Sequence, residues 1–140
     1  MKYKNCRLNI FKGVFLFLIL CANSSAQSLC KGMVTELNVS EKITLENNVK
    51  RQLKVDGVNV IKFFKDKGSS IAYIETFDAD EVFLFYSGDE LKSDYISMWS
   101  GAAGISEQKT IEEWARKNVP GIPYELAKCF SWYAIYRKAE

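Results

Sequence analysis

Hydrophobic and polar positions change period along this chain, alternating in the first half and turning helical beyond Ser87. Between residues 45 and 60, Leu53 and Val55 alternate with polar neighbours and face Val58 and Val60 across Asp56-Gly57, a dipeptide that tolerates the positive φ of a tight turn. This predicts a β-hairpin. A rival pattern runs through the same residues: Leu45, Val49 and Leu53 fall at i, i+4 and i+8, which suits a helix with Gly57 as its stop. Of the two, the hairpin is the expectation adopted here.

The next two segments are stronger strand signals. IAYIETF places Ile71, Tyr73 and Glu75 on one face and Ala72, Ile74 and Thr76 on the other, and VFLFY follows after the polar turn DADE. Aromatic and β-branched side chains of this kind fit a pleated, half-buried surface, so the pair is expected as adjacent antiparallel strands at the centre of a sheet. Beyond Ser87 the period becomes helical. Ser106 is expected to cap a helix carrying Ile111, Trp114 and Ala115, ending near Asn118 ahead of Pro120. Pro123 then opens a second helix, on which Leu126, Cys129, Phe130 and Tyr133 form an inward stripe. Strands followed by helices predict an α+β fold: a small antiparallel meander of about three to five strands, with two C-terminal helices packed on one face.

The first residues follow a different logic. Lys2, Lys4, Arg7 and Lys12 precede the apolar run from Val14 to Ala22, and small polar residues follow. This is the order of a secretory signal peptide, with Ser24 and Ala26 supplying the small side chains at the cleavage site. Residues 1–26 are therefore expected to be removed, leaving 27–140 as one compact domain. The apolar run is less than half of the roughly 20 residues that a spanning helix needs, so the mature chain is expected to contain no transmembrane segment. Cys21, at the end of LILC, offers an alternative in which a lipid tethers the protein to a membrane; Leu20 before it is larger than lipoprotein signals favour.

Processing changes the charge. The 19 basic residues of the whole chain fall to 15 against 17 acidic ones, because residues 1–26 hold four cations and no acid. A mature chain of about −2 lacks the basic surplus that nucleic-acid binding requires.

Histidine is absent from the whole chain. That removes Ser-His-Asp and Cys-His nucleophilic arrangements and any zinc site that depends on imidazole. The two cysteines after residue 26, Cys30 and Cys129, are an even number near the two ends, which in an oxidising compartment predicts one disulfide clasping the domain. Other chemistry is weaker. Ser106 and Lys109 have the Ser-x-x-Lys spacing of a nucleophile and its lysine, but the helix-cap role accounts for Ser106. Glu75, Asp78, Asp80 and Glu81 cluster around DADE without the glycine and distal glutamate of a calcium loop. WSGAAG at 99–104 lacks the Gly-Lys-Ser/Thr of a phosphate loop and suits close packing beside Trp99. Asn38-Val39-Ser40 is a glycosylation sequon in a eukaryotic setting.

Fifteen aromatics remain after residue 26, and Trp132, Tyr133 and Tyr136 cover more than one side of the last helix. Trp132 and Tyr136 are therefore the candidate surface for a partner. The expected function is that of a small exported, periplasmic or secreted, non-catalytic protein that binds a protein partner in the manner of an inhibitor or immunity protein, without metal or cofactor. One alternative is a structural or accessory envelope protein tethered at Cys21. Another is an enzyme that works without histidine, through carboxylates such as Glu75, Glu112 or Glu113 converging in a cleft.

Overall fold

The structure is a computed structural model and describes residues 29–137. The expected signal peptide at residues 1–26, its expected cleavage site and Cys21 lie outside these residues. The first regular element is a helix, α1, Val39–Leu53, and it overturns the expected hairpin before Val58. Its start explains why. Asn38 Oδ1 accepts from the Glu41 backbone N–H and Glu41 Oε2 accepts from the Asn38 N–H, each at 2.9 Å. This reciprocal capping box satisfies two donors that a helix start leaves without intrahelical partners. With the first turn nucleated, Leu45 and Val49 are carried inward along the helical stripe and both are fully buried. The helix stops at Lys54, in the left-handed region at φ 57°, three residues before the expected glycine.

Gly57 has another purpose. A Cβ on it would lie 2.1 Å from the Phe77 ring, so the absent side chain lets that ring rest on the backbone between α1 and the first strand.

Four strands follow as an antiparallel meander in sequence order: β1 Val58–Asp66, β2 Ser69–Thr76, β3 Val82–Ser87 and β4 Ser97–Ser100. β2 and β3 are the central strands, joined through the DADE turn. Lys67 and Gly68, with φ of 46° and 80°, form the two-residue turn between β1 and β2, the geometry that matches the twist of a hairpin. The register of β1 against β2 shifts once, between Val60 and Lys62. Ile61 is the extra residue of this bulge, and it changes the parity of the strand. Val58, Val60 and Phe63 consequently join the core under α1, while Phe64 joins the core on the opposite face.

Two C-terminal helices cover that opposite face. A short 3-10 turn, Ile105–Glu107, leads into α2, Gln108–Asn118; α3, Tyr124–Tyr136, follows after Gly121 at φ 74° and Pro123 at φ −59°. Ser106 does not cap α2. It lies inside the 3-10 turn, and the Glu107 carboxylate reaches back to the Gly104 N–H at 2.7 Å instead. A glutamate spans that gap more readily than a serine, whose oxygen sits only one carbon beyond Cα.

The protein is thus α+β with a four-stranded sheet and the two C-terminal helices on one face, as expected, while α1 adds a third layer on the other. Both central strands are buried on both sides as a result: Ile71, Ala72, Ile74, Phe83, Leu84, Phe85 and Tyr86 are all at most 1% exposed. The core on the α2–α3 side is mostly aromatic. Phe83 stacks on Tyr73 with centroids 4.4 Å apart and meets Phe130 edge-on at 5.0 Å; Phe130 also meets Phe85 at 4.9 Å and Trp99 at 5.5 Å. Such edge-to-face pairs add about 0.5–1.5 kcal/mol each to the burial itself. The expected stripe of Leu126, Cys129, Phe130 and Tyr133 is buried in this core.

Candidate functional site

Cys30 and Cys129 form the disulfide, with Cα atoms 4.7 Å apart across a sequence separation of 99. Both are buried against the aromatic core, so the bond fixes α3 to the chain ahead of α1. Its sulfurs are consumed in structure and offer no nucleophile.

α3 lies deep in its layer, with Leu126, Ala127, Cys129, Phe130, Ser131, Tyr133 and Ala134 all buried. Its remaining side is a row at four-residue spacing: Tyr124, Lys128, Trp132 and Tyr136. Successive members are about 6 Å apart along the axis. The rings of Trp132 and Tyr136 are 5.6 Å apart, and Trp132 also packs on the core beneath. Both are half-buried, so the two residues expected at a partner surface present only part of their rings. Tyr124 presents more, at 51% exposed. Its ring is approached by Lys128 Nζ at 4.9 Å and by the Arg116 guanidinium of α2 at 5.4 Å. Glu125 neutralises part of this charge through an ion pair to Lys128 at 3.6 Å. Sequence reasoning missed Tyr124 and Lys128, although the spacing 124, 128, 132, 136 was there to be counted.

A second cluster sits at the far end of α3. The Tyr73 hydroxyl donates to Glu81 Oε2 at 2.8 Å and accepts from Arg137 Nε at 2.9 Å. Arg137 also donates to the carbonyls of Gly101, at 2.9 Å, and Ala134, and its guanidinium lies over the rings of Tyr73 and Phe83. An opening of about 300 Å³ is bordered here by Asp80, Glu81, Ser100, Gly101, Ala102 and Arg137. Burial, reinforced by the hydrogen bond to Glu81, pushes the Tyr73 hydroxyl up to about 12. At neutral pH it is therefore a proton-bearing group and no base. With every Arg137 nitrogen engaged, the cluster ties β2, the end of β4 and α3 together.

The other carboxylates have separate engagements. Glu75 accepts from Asn59 Nδ2 at 2.7 Å on the sheet, Glu113 faces Lys109 at 4.0 Å along α2, and Glu112 is half-buried on α2. Lys109 thus turns to Glu113, one helical turn along α2, while Ser106 stays in the preceding 3-10 turn. Asp78 and Asp80 are exposed in the β2–β3 turn. Among the described residues, no group of three or more acids and cysteines is gathered as a metal site would need.

Compared with protein-family models, with curated proteins and with solved structures, the chain finds no match in any of the three.

Proposed function

We propose that this is a small exported protein that binds a protein partner and performs no catalysis, acting as an inhibitor or immunity protein acts, by occupying the partner's surface. The observation that carries this reading is the row on α3. Tyr124, Lys128, Trp132 and Tyr136, with Arg116 beside them, combine part-exposed rings and cations on a helix that is otherwise buried and covalently anchored. Tyrosine, tryptophan and arginine are the residues on which binding energy concentrates in interfaces. A helix held by a disulfide and by packing on two sides loses little freedom on binding, which favours affinity. The disulfide supports an oxidising compartment, as export through residues 1–26 would provide. No described helix is long and apolar enough to cross a membrane.

Affinity capture from the exported fraction of the native organism tests this, using the wild-type protein beside a Tyr124→Ala/Tyr136→Ala variant. A specific protein recovered by the wild type and lost with the variant supports the proposal. Equal recovery by both, or no specific protein with the wild type, overturns it.

A further inference from the structure

β1 is an edge strand, and among the described residues its outer edge is closed at two places. At one, an isolated bridge joins it to the chain ahead of α1: the Val34 N–H donates to the Lys65 carbonyl at 3.2 Å and the Lys65 N–H to the Val34 carbonyl at 2.9 Å. At the other, α1 reaches over: the Val60 N–H donates to Glu46 Oε1 at 3.0 Å, and Lys42 Nζ donates to Asn59 Oδ1 at 3.1 Å. Between these closures segment 35–37 leaves the strand. An opening of about 310 Å³ lies between that segment and residues 60–63 of β1, with Lys42 on its wall.

The strand side of this opening carries unpaired main-chain groups. Hydrogen-bonding direction alternates along a strand, so the outward groups of Lys65 put the N–H and C=O of Phe63, two residues earlier, on the same outer edge. Neither has a hydrogen-bond partner among the described residues. Phe63 is only 2% exposed, and main-chain groups so well buried are nearly always paired. The charges around the opening lean one way. Lys62 has no ion-pair partner among the described residues, and Lys42 has only Glu46 at 3.7 Å, a carboxylate already bonded to Val60; the one acid on the wall itself is Glu36. Val34 and Ile61 flank the opening as exposed apolar residues.

We propose that this opening receives the carboxyl-terminal end of a partner polypeptide in extended form. Its main chain pairs with the Phe63 N–H and C=O as a short added strand, its last apolar side chain lies against Ile61 and Val34, and its terminal carboxylate bonds the Lys62 ammonium beside Lys42. A chain end fits where a passing strand does not. From Val60 to Lys65 the edge is about 17 Å long, and a strand running through would displace either the Val34 bridge or the α1 side chains. A carboxylate fits the two lysines better than an amino terminus does. The site uses no residue of the α3 row and does not depend on it.

The test is an NMR titration of the mature protein with acetyl-Ala-Val-Val bearing a free carboxylate, with the same peptide as its C-terminal amide, and with acetate. The expected result is a saturable downfield shift of the Phe63 amide proton, as that N–H gains an acceptor, with smaller shifts at Ile61 and Lys62. The amide peptide binds about tenfold more weakly, the effect of losing one charge-assisted contact. Lys62→Gln, at a half-buried position on the strand edge, weakens the acid peptide about threefold or more and leaves the amide peptide unchanged. Absence of a saturable shift at Phe63, equal affinity for acid and amide, or indifference to Lys62→Gln overturns the proposal. Acetate binding as tightly as the peptide reveals a bare carboxylate site and overturns the added strand. Movement of the Phe63 amide with protein concentration alone assigns the edge to a second copy of the chain and overturns it too.

Discussion

Opening the Cys30–Cys129 bond should cost this domain a large part of its stability. The bond closes a loop with a separation of 99 residues, for which the chain-entropy relation gives about 4.7 kcal/mol, against about 2–5 kcal/mol typical when a native disulfide is removed from a small secreted domain. A domain of this size is stable by about 5–15 kcal/mol in total, so a third or more is at stake. At about 4 °C per kcal/mol for roughly 110 residues, a loss of about 4.7 kcal/mol should lower the melting temperature by about 19 °C. Urea unfolding should compare three forms: oxidised wild type, reduced wild type, and Cys30→Ala/Cys129→Ala. The reduced protein keeps both sulfur atoms in the aromatic core and loses only the cross-link, so it isolates the effect on the unfolded chain. The double variant adds the loss of packing around Cys129, which is fully buried, and should fall a further 1 kcal/mol or so below the reduced form. The urea slope should also rise on reduction, because the freed chain exposes more surface when it unfolds. A loss below about 1 kcal/mol on reduction, with the native spectrum retained, would refute the view that this bond stabilises by restricting the unfolded chain.

Three further outcomes can be checked by similar means. Asn38→Ala removes one half of the capping box and should cost about 1 kcal/mol in urea unfolding, with Glu41→Ala giving a smaller loss that is not additive with it. Gly57→Ala drives a methyl into the Phe77 ring; because that ring is 79% exposed it should swing away at a cost of about 1 kcal/mol or less, and the loss should vanish in a Phe77→Ala background. Tyr73 is held above its ordinary 10.0, to about 12, first by burial and then by its bond to Glu81. The folded state therefore binds this proton more tightly than the unfolded chain does, so the contribution is complete below pH 10 and is lost as pH rises from 10 toward 12. Melting temperatures across that window should fall more steeply for the wild type than for Tyr73→Phe, and equal slopes would contradict the assignment.

The strand pair Ile71–Thr76 and Val82–Ser87 was legible because two short segments alternate cleanly about a polar turn, and α3 was legible because Gly121 and Pro123 mark its start and its buried positions repeat at helical spacing. The disulfide followed from the two cysteines, Cys30 and Cys129, that lie beyond the expected signal peptide. The first helix was misread because Asn38 carries two local meanings. Its sequon was noticed, whereas its partnership with Glu41 three residues on, which decides the helix start, was not weighed against the alternation near Val58. Lys54 then ended the helix in a conformation usually left to glycine, so no sequence mark fell at the true boundary. The bulge at Ile61 left only a faint mark, the adjacent apolar pair Val60-Ile61 at which the alternation of VNVIKFF changes parity, and that mark was passed over. At the surface, counting aromatics led to Trp132 and Tyr136 but not to the more exposed Tyr124, because residue type says little about which side of a nearly buried helix is left open. That the buried Tyr86 hydroxyl has no hydrogen-bond partner is likewise a property of three-dimensional pairing, which only the folded neighbours reveal.

The position of the disulfide also imposes an order of events. Cys30 lies ahead of every described helix and strand, and Cys129 lies inside the last described helix. However the chain reaches its compartment, nearly all of it must be present before the bond can close. α1 and the first three strands, complete by Ser87, have all been made before the bond can form. The covalent link is therefore out of reach of any partial chain that lacks the last helix, and its contribution to stability belongs to the full-length chain alone.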